Sequence, residues 1–153
     1  MQSSPLNNGK MMEIRQFTTQ DKAYGDSLLL RERLLRIPLG LSLKDEDLTD
    51  EVNQMHFGIF MEEELFGSVI FKVLDTEVVK LRQMVIDQRH QGAGIGAILI
   101  SRVEKVLGDM GFKTVELAAR YYAKRFYEKS GYKSVGDIFM EVGLEHVKMI
   151  KSI

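Results

Sequence analysis

A chain of 153 residues can form one domain with a sizeable core, and 44% apolar with 28% charged residues is ordinary for a globular protein. A net charge of −1 argues against a nucleic-acid protein working through bulk basic charge, and the lack of cysteine excludes a disulfide framework, a thiolate metal site and a Cys nucleophile. His56, His90 and His146 lie far apart in sequence, so no metal site is expected, and no apolar run approaches the ~20 residues of a membrane-spanning helix.

Residues 1–10, MQSSPLNNGK, are polar and turn-rich and lack the apolar stretch of a secretory signal. They read as a flexible N-terminal tail, leaving 11–153 as a single domain in a cytoplasmic protein. A short strand is predicted over 12–17. A helix follows from Thr19 to Leu35, started by Thr or Asp and closed by Pro38 and Gly40. SLKDEDLTDE fits a second, short acidic helix.

Three strand-like segments follow. Residues 55–61 place Met55, Phe57, Ile59 and Met61 on one face, and 65–74 and 77–87 continue after short connections, which predicts an antiparallel meander. The third of these changes phase: Val79 and Leu81 share a face, then Met84 and Ile86 carry the apolar role one residue out of step. A β-bulge and a strand buried on both faces at its end fit the pattern equally.

Next comes DQRHQGAGIGAIL at 87–99, followed by Ile95, Ile98, Leu99, Val103, Val106, Leu107 and Met110 at helical spacing. A strand with Val115, Leu117 and Ala119 alternating, a short helix closed by Gly131, and two further strands complete the chain. The three glycines loosely fit the dinucleotide pattern G-x-G-x-x-G/A, and Glu116 stands roughly where its acid belongs. Charged residues 87–91 separate strand from glycine, however, and only 37 residues follow Glu116, too few for the remaining βαβ units. A Walker loop lacks its Gly-Lys-Ser/Thr. Two readings stay open: a plain glycine-rich strand-to-helix turn, and a turn whose backbone approaches a phosphate, with the free amides of the following helix adding an anion cradle.

With Phe126-Tyr127-Glu128-Lys129-Ser130-Gly131-Tyr132 about 30 residues further on, beyond one strand, the chain resembles the GNAT superfamily of acetyltransferases. The family's acetyl-CoA loop, Q/R-x-x-G-x-G/A, is matched by Gln91-Gly92-Ala93-Gly94-Ile95-Gly96, and its later aromatic pair followed by Lys-x-Gly-aromatic is matched by residues 126–132. The close match covers roughly 77–134; the N-terminal third agrees in element order only. Many members carry Asn where this chain has Arg120, so a cofactor contact there is not carried over.

The resemblance implies an α/β (α+β) fold, a mixed, mostly antiparallel central sheet of about seven strands flanked by about four helices. It implies acetyl-CoA as acetyl donor to a primary amine of a small molecule, by direct attack in a ternary complex. By the same resemblance, Met84, Val85 and Ile86 line the pantetheine arm through their backbone, and a bulge there would open a slot and free an amide for the thioester oxygen. Residues 91–96 bind the pyrophosphate, and Tyr127 protonates the departing thiolate. Arg89, Lys124, Arg125 and Lys129 are candidates for the 3′-phosphate, though for any one of them a solvated surface charge is the better reading. His56, Glu116, His146 or a water remain open as the base. The acidic run Asp45-Glu46-Asp47, with Asp50 and Glu51, reads as a solvated helix face or as suited to a cationic acceptor; Arg31, Arg33 and Arg36 suit an acceptor bearing a carboxylate. Two alternatives remain: a protein or peptide N-acetyltransferase, and a non-catalytic acyl-CoA sensor. No nucleic acid or membrane partner is expected, and a homodimer is compatible with the family.

Overall fold

The computed structural model describes residues 2–5 and 11–153. The strands are β1 (Gln2–Pro5), β2 (Met11–Phe17), β3 (Met55–Met61), β4 (Glu64–Val73), β5 (Val78–Ile86), β6 (Thr114–Arg120), β7 (Lys133–Glu141) and β8 (Leu144–Ser152). The α-helices among the described residues are α1 (Lys22–Arg31), α2 (Ile95–Asp109) and α3 (Lys124–Lys129). The sheet order is β1-β2-β3-β4-β5-β6-β8-β7, so the expected seven strands gain the short β1. Of the ten residues read as a tail, Gln2–Pro5 pair antiparallel with β2; the rest lie outside the described residues.

Two compact units share the chain, and β4, β5 and α2 each run through both. The first holds residues up to Phe71 together with Gln83–Leu99. Within it β2 pairs antiparallel with β3, and β3 with β4. The alternation read for β3 is overridden: His56 through Phe60 are all buried, as are residues 65–71 of β4. Strands covered on both faces give continuous apolar runs rather than alternation. Phe17, Leu30, Phe60, Leu65 and Val85 form one core cluster, with Tyr24, Leu34 and Leu35 packed against it.

The predicted helix from Thr19 begins later, at Lys22, because Asp21 turns its carboxylate back to the Thr18 amide (2.7 Å) and occupies the N-cap position. It then changes character. Glu32–Arg36 forms a π turn, with the Ile37 amide bonded to the Glu32 carbonyl, and a short 3-10 segment with Pro38 ends it. The acidic stretch is not the fourth helix: it forms two 3-10 turns, Leu43–Asp45 and Thr49–Asn53. Ser42 and Asp47 bond their oxygens to the backbone two residues on, a competition that favours turns over α-helix.

The second unit holds Lys72–Arg82 and Ile100–Ile153. There the start of β5 runs parallel to β6, Val78–Lys80 against Thr114–Glu116, and β6 and β7 flank β8 antiparallel. β6 alternates as predicted, with Val115, Leu117 and Ala119 buried. Ile100, Val103 and Leu107 of α2 are buried, whereas Met110, read as part of the stripe, is exposed. Among the described residues no helix is long and apolar enough to cross a membrane.

Candidate active site

Where the sequence predicts a phase change in β5, the backbone is unusual, while the buried positions remain Val79, Leu81 and Val85. Gln83 adopts φ 53°, a left-handed conformation rare for a residue with a Cβ. It falls where the sequence pattern left a β-bulge and a strand buried on both faces equally open. Val85 is buried in the core cluster; Met84 and Ile86 are half-buried, so the apolar role assigned to those two is shared with solvent. Beneath this segment lies Gly67 of β4. A Cβ there would sit 2.6 Å from Ile86 Cδ1, 2.8 Å from Ile59 Cγ2 and 3.2 Å from the Val85 carbonyl oxygen, so a larger residue would have to push β3 or the end of β5 aside.

The link from β5 to the glycine loop is held by Asp87. Its amide donates to the Phe66 carbonyl (2.8 Å), and its buried carboxylate accepts from the Arg89 amide (3.1 Å), Arg89 Nε and Nη2 (3.3 and 3.1 Å) and Arg33 Nη2 (3.3 Å). The Arg89 side chain, foremost, holds the Asp87 carboxyl well below the usual carboxylate range, at about 2. Arg89 also reaches Glu64 (2.9 Å), and Gln91 Nε2 donates to the Ile86 carbonyl (2.9 Å). Arg89, weighed above for a phosphate, is thus committed to two carboxylates.

Beyond this clamp, Gly92 and Gly94 take φ 82° and 75°, conformations that L side chains rarely adopt. Nothing lies within 4 Å of where their Cβ atoms would stand, so the surface is open to a ligand. Gln91, Gly92, Ala93 and Gly94 are exposed; Ile95 is buried and starts α2, and Gly96 sits in its first turn. The first intrahelical bond runs from the Ile98 amide to the Gly94 carbonyl (3.1 Å), leaving the earlier amides of the turn without intrahelical acceptors.

The opposing readings of the 31–51 region largely cancel. Arg31 is buried and bidentate to buried Glu51 (2.8 and 2.8 Å), whose carboxylate also accepts from Tyr24 Oη (2.7 Å). Burial, then this hydrogen bond, pushes the Tyr24 phenol up to about 12. Arg36 binds Glu46 through Nε and Nη2 (2.6 and 3.0 Å) and also reaches Gln83 Oε1 (3.1 Å). Arg31 and Arg36 are therefore neutralised by the acids read as attracting an amine. Sequence reasoning missed the Gln83 contact, whose only sequence signal is a polar residue at the phase break. His56 is buried, donates Nε2 to the Glu51 carbonyl (2.8 Å) and packs on Phe17 and Tyr24, a structural setting.

In the second unit, Tyr127 on α3 is buried edge-on between Phe126 (5.1 Å) and Tyr132 (5.8 Å). Burial pushes its phenol above the ordinary value, so it holds its proton throughout the neutral range. Tyr132 is in turn fixed by Glu104 of α2 (Oη to Oε2, 2.7 Å), which also accepts from Lys151 (2.7 Å). Lys151 reaches the Ser130 carbonyl as well (2.8 Å), tying the end of α3 to β8. Arg120 donates to Tyr122 Oη (3.1 Å). His146 is buried, with Nδ1 at the Leu144 carbonyl (2.9 Å) and its ring stacked on Phe139; Glu116 lies 3.7 Å from Lys148.

Residues 42–153 match the family model of the acetyltransferase (GNAT) domain. The chain belongs to the GNAT acetyltransferase family. It is 27% identical over 145 residues to the uncharacterized protein YyaT of Bacillus subtilis (strain 168), covering 93% of this chain and 97% of that one. Its fold is similar to Escherichia coli ElaA, with TM-score 0.79 and 21% identity over 92% of this chain and 99% of that chain. It is also similar to a GNAT family acetyltransferase from Elizabethkingia anophelis with acetyl-CoA bound, with TM-score 0.69 and 17% identity over 93% of this chain and 98% of that chain.

Proposed function

We propose that this protein is an N-acetyltransferase that moves the acetyl group of acetyl-CoA to a primary amine of a small-molecule acceptor, by direct attack in a ternary complex. The observation that carries the reading is the exposed, left-handed Gly92–Gly94 turn leading into α2. Backbone amides there suit a pyrophosphate, and the Asp87–Arg89 clamp fixes the turn's approach from β5. The Elizabethkingia neighbour, solved with acetyl-CoA, supports that donor. Acetyl-CoA is a cosubstrate here, and no metal takes part.

In this reading Gln91, Gly92, Ala93, Gly94, Ile95 and Gly96 bind the pyrophosphate, and the backbone of Met84, Val85 and Ile86 lines the pantetheine arm. The irregular backbone at Gln83 supports an amide released from strand pairing and available to the thioester oxygen. The amine nitrogen attacks the thioester carbon and yields a proton to the base left open above; the tetrahedral intermediate collapses with cleavage of the C–S bond, Tyr127 gives its proton to the thiolate, and the proton taken from the amine restores the phenol. A phenol kept protonated by burial suits that duty. A cytoplasmic location belongs to the same reading.

The test is release of free CoA thiol from acetyl-CoA against a panel of small amines, beside thermal melts with acetyl-CoA, CoA and NAD. Turnover with a small amine and stabilisation by acetyl-CoA are expected. Stabilisation without turnover on small amines or peptides would make the protein a sensor. Turnover only on peptides would move the acceptor to proteins. Stabilisation by NAD alone would overturn the reading.

A further inference from the structure

Among the described residues that carry a side chain, Glu62, Glu63, Gln83 and Val142 take a positive φ. Glu62, Glu63 and Val142 lie in the turns between paired strands; Gln83 lies inside one, β5. A tight turn imposes such a conformation by its length. Inside a strand a contact must hold it, because the extended conformation is open to the residue and costs less.

The contact is Arg36. Its side chain is buried, with Nε donating to Glu46 Oε2 (2.6 Å) and Nη2 donating both to Glu46 Oε1 (3.0 Å) and to Gln83 Oε1 (3.1 Å). Arg36 is the last residue of the π turn, and Glu32, the first, accepts from Ser42 Oγ (2.8 Å) and from the amide of buried Leu43 (3.1 Å). The π turn and the 3-10 turn at Leu43–Asp45 are thus tied at two points, and Arg36 reaches Gln83 from a frame that does not include β5. Return of Gln83 to the extended conformation would redirect its Cα–Cβ bond and withdraw Oε1 from a buried guanidinium, which would lose a hydrogen bond that water cannot readily replace.

We propose that Arg36 is a positioning residue of the transfer reaction: through the Gln83 side chain it holds the left-handed backbone in β5 and, resting on the reading above, the strand amide that meets the thioester oxygen. It touches no reacting atom. Lysine would not replace it, since one ammonium cannot match the fork that serves Glu46 and Gln83 together.

The direct readout is the infrared carbonyl stretch of acetyl-CoA labelled with carbon-13 at the thioester carbon and bound without an acceptor. A hydrogen bond to that oxygen lowers the frequency. Gln83→Leu removes the acceptor and keeps the Arg36–Glu46 pair; Arg36→Met removes the donor. Wild type should hold the band below that of free acetyl-CoA. Both variants should return it towards the free value while acetyl-CoA still raises their melting temperatures. With an amine that the wild type turns over, kcat should fall at least ~10-fold, within the ~10²–10³-fold cost of losing an oxyanion donor outright, at unchanged KM for acetyl-CoA. The double variant should be no slower than the slower single one. Should Arg36→Met not fold, Gln83→Leu decides. A wild-type band and kcat in Gln83→Leu, or weakened acetyl-CoA binding with kcat intact, would overturn the proposal and leave the transferase reading standing. An unshifted wild-type band would overturn it too, and a wild type that acetyl-CoA does not stabilise would overturn both.

Discussion

Tyr127 and Asp87 show how burial sets chemistry one side chain at a time. Tyr127 loses water on all sides, its phenol is pushed up, and the proton stays in place until a strong base appears beside it. Tyr127→Phe keeps the ring packed between Phe126 and Tyr132, so acetyl-CoA should stabilise the variant as well as the wild type. Its kcat should fall about 10²–10⁴-fold, measured by thiol release. Asp87 is the opposite case, held ionised by Arg89 and, more distantly, Arg33. Its folded value of about 2 lies below the ordinary 3.8, so the stabilisation it brings is complete above that ordinary value. It is lost as pH falls towards about 2. Urea midpoints across this range should fall less steeply in Asp87→Asn than in the wild type, and since Arg89 and Arg33 are largely exposed the difference should shrink in high salt.

Among the elements, the end of β5 and the β7–β8 turn carry visible constraints. Gly67 lets the Val85–Ile86 backbone approach β4. Gly67→Ala should cost about 1–3 kcal/mol by overpacking, read from denaturant unfolding, and should weaken acetyl-CoA binding by displacing the strand proposed to line its arm. The β7–β8 turn is Val142-Gly143 with φ 46° and 75°, a two-residue hairpin of the primed kind. A β-branched residue in that conformation is strained, and Val142 is exposed, so little packing opposes its replacement. Val142→Asn should raise stability by about 1 kcal/mol, seen as a higher melting temperature.

At the scale of the whole molecule, binding is the most economical readout, because a ligand at 100 times its Kd adds about 2.7 kcal/mol to the folded state. A clear rise in melting temperature with acetyl-CoA is expected, and its loss on Gly94→Ala would locate the effect in the glycine turn. That turn was legible in the sequence because its chemistry is local: the glycines and the helix start lie within one short span. The unusual backbone at Gln83 falls where the alternation faltered, although Val85 rather than Met84 or Ile86 is the buried residue there. Gly67 was not legible, since its reason lies in the neighbouring strands, and neither was the Arg31–Glu51–Tyr24 cluster, assembled from residues up to 27 positions apart. The acidic run changes meaning for a related reason. Read alone, Glu46 is a charge available to an amine; in the fold it is the partner of Arg36.

The π turn at Glu32–Arg36 has a consequence for how this chain should be aligned with its relatives. Removing one residue from it would close the segment into ordinary α-helix and rotate everything after it by about 100°. Arg36 would swing off Glu46 and Gln83. An alignment that slides through residues 32–36 without a gap can therefore match the letters of two relatives while pairing side chains that point in different directions, and it would do so for the residue that joins the first helical segment to the break in β5.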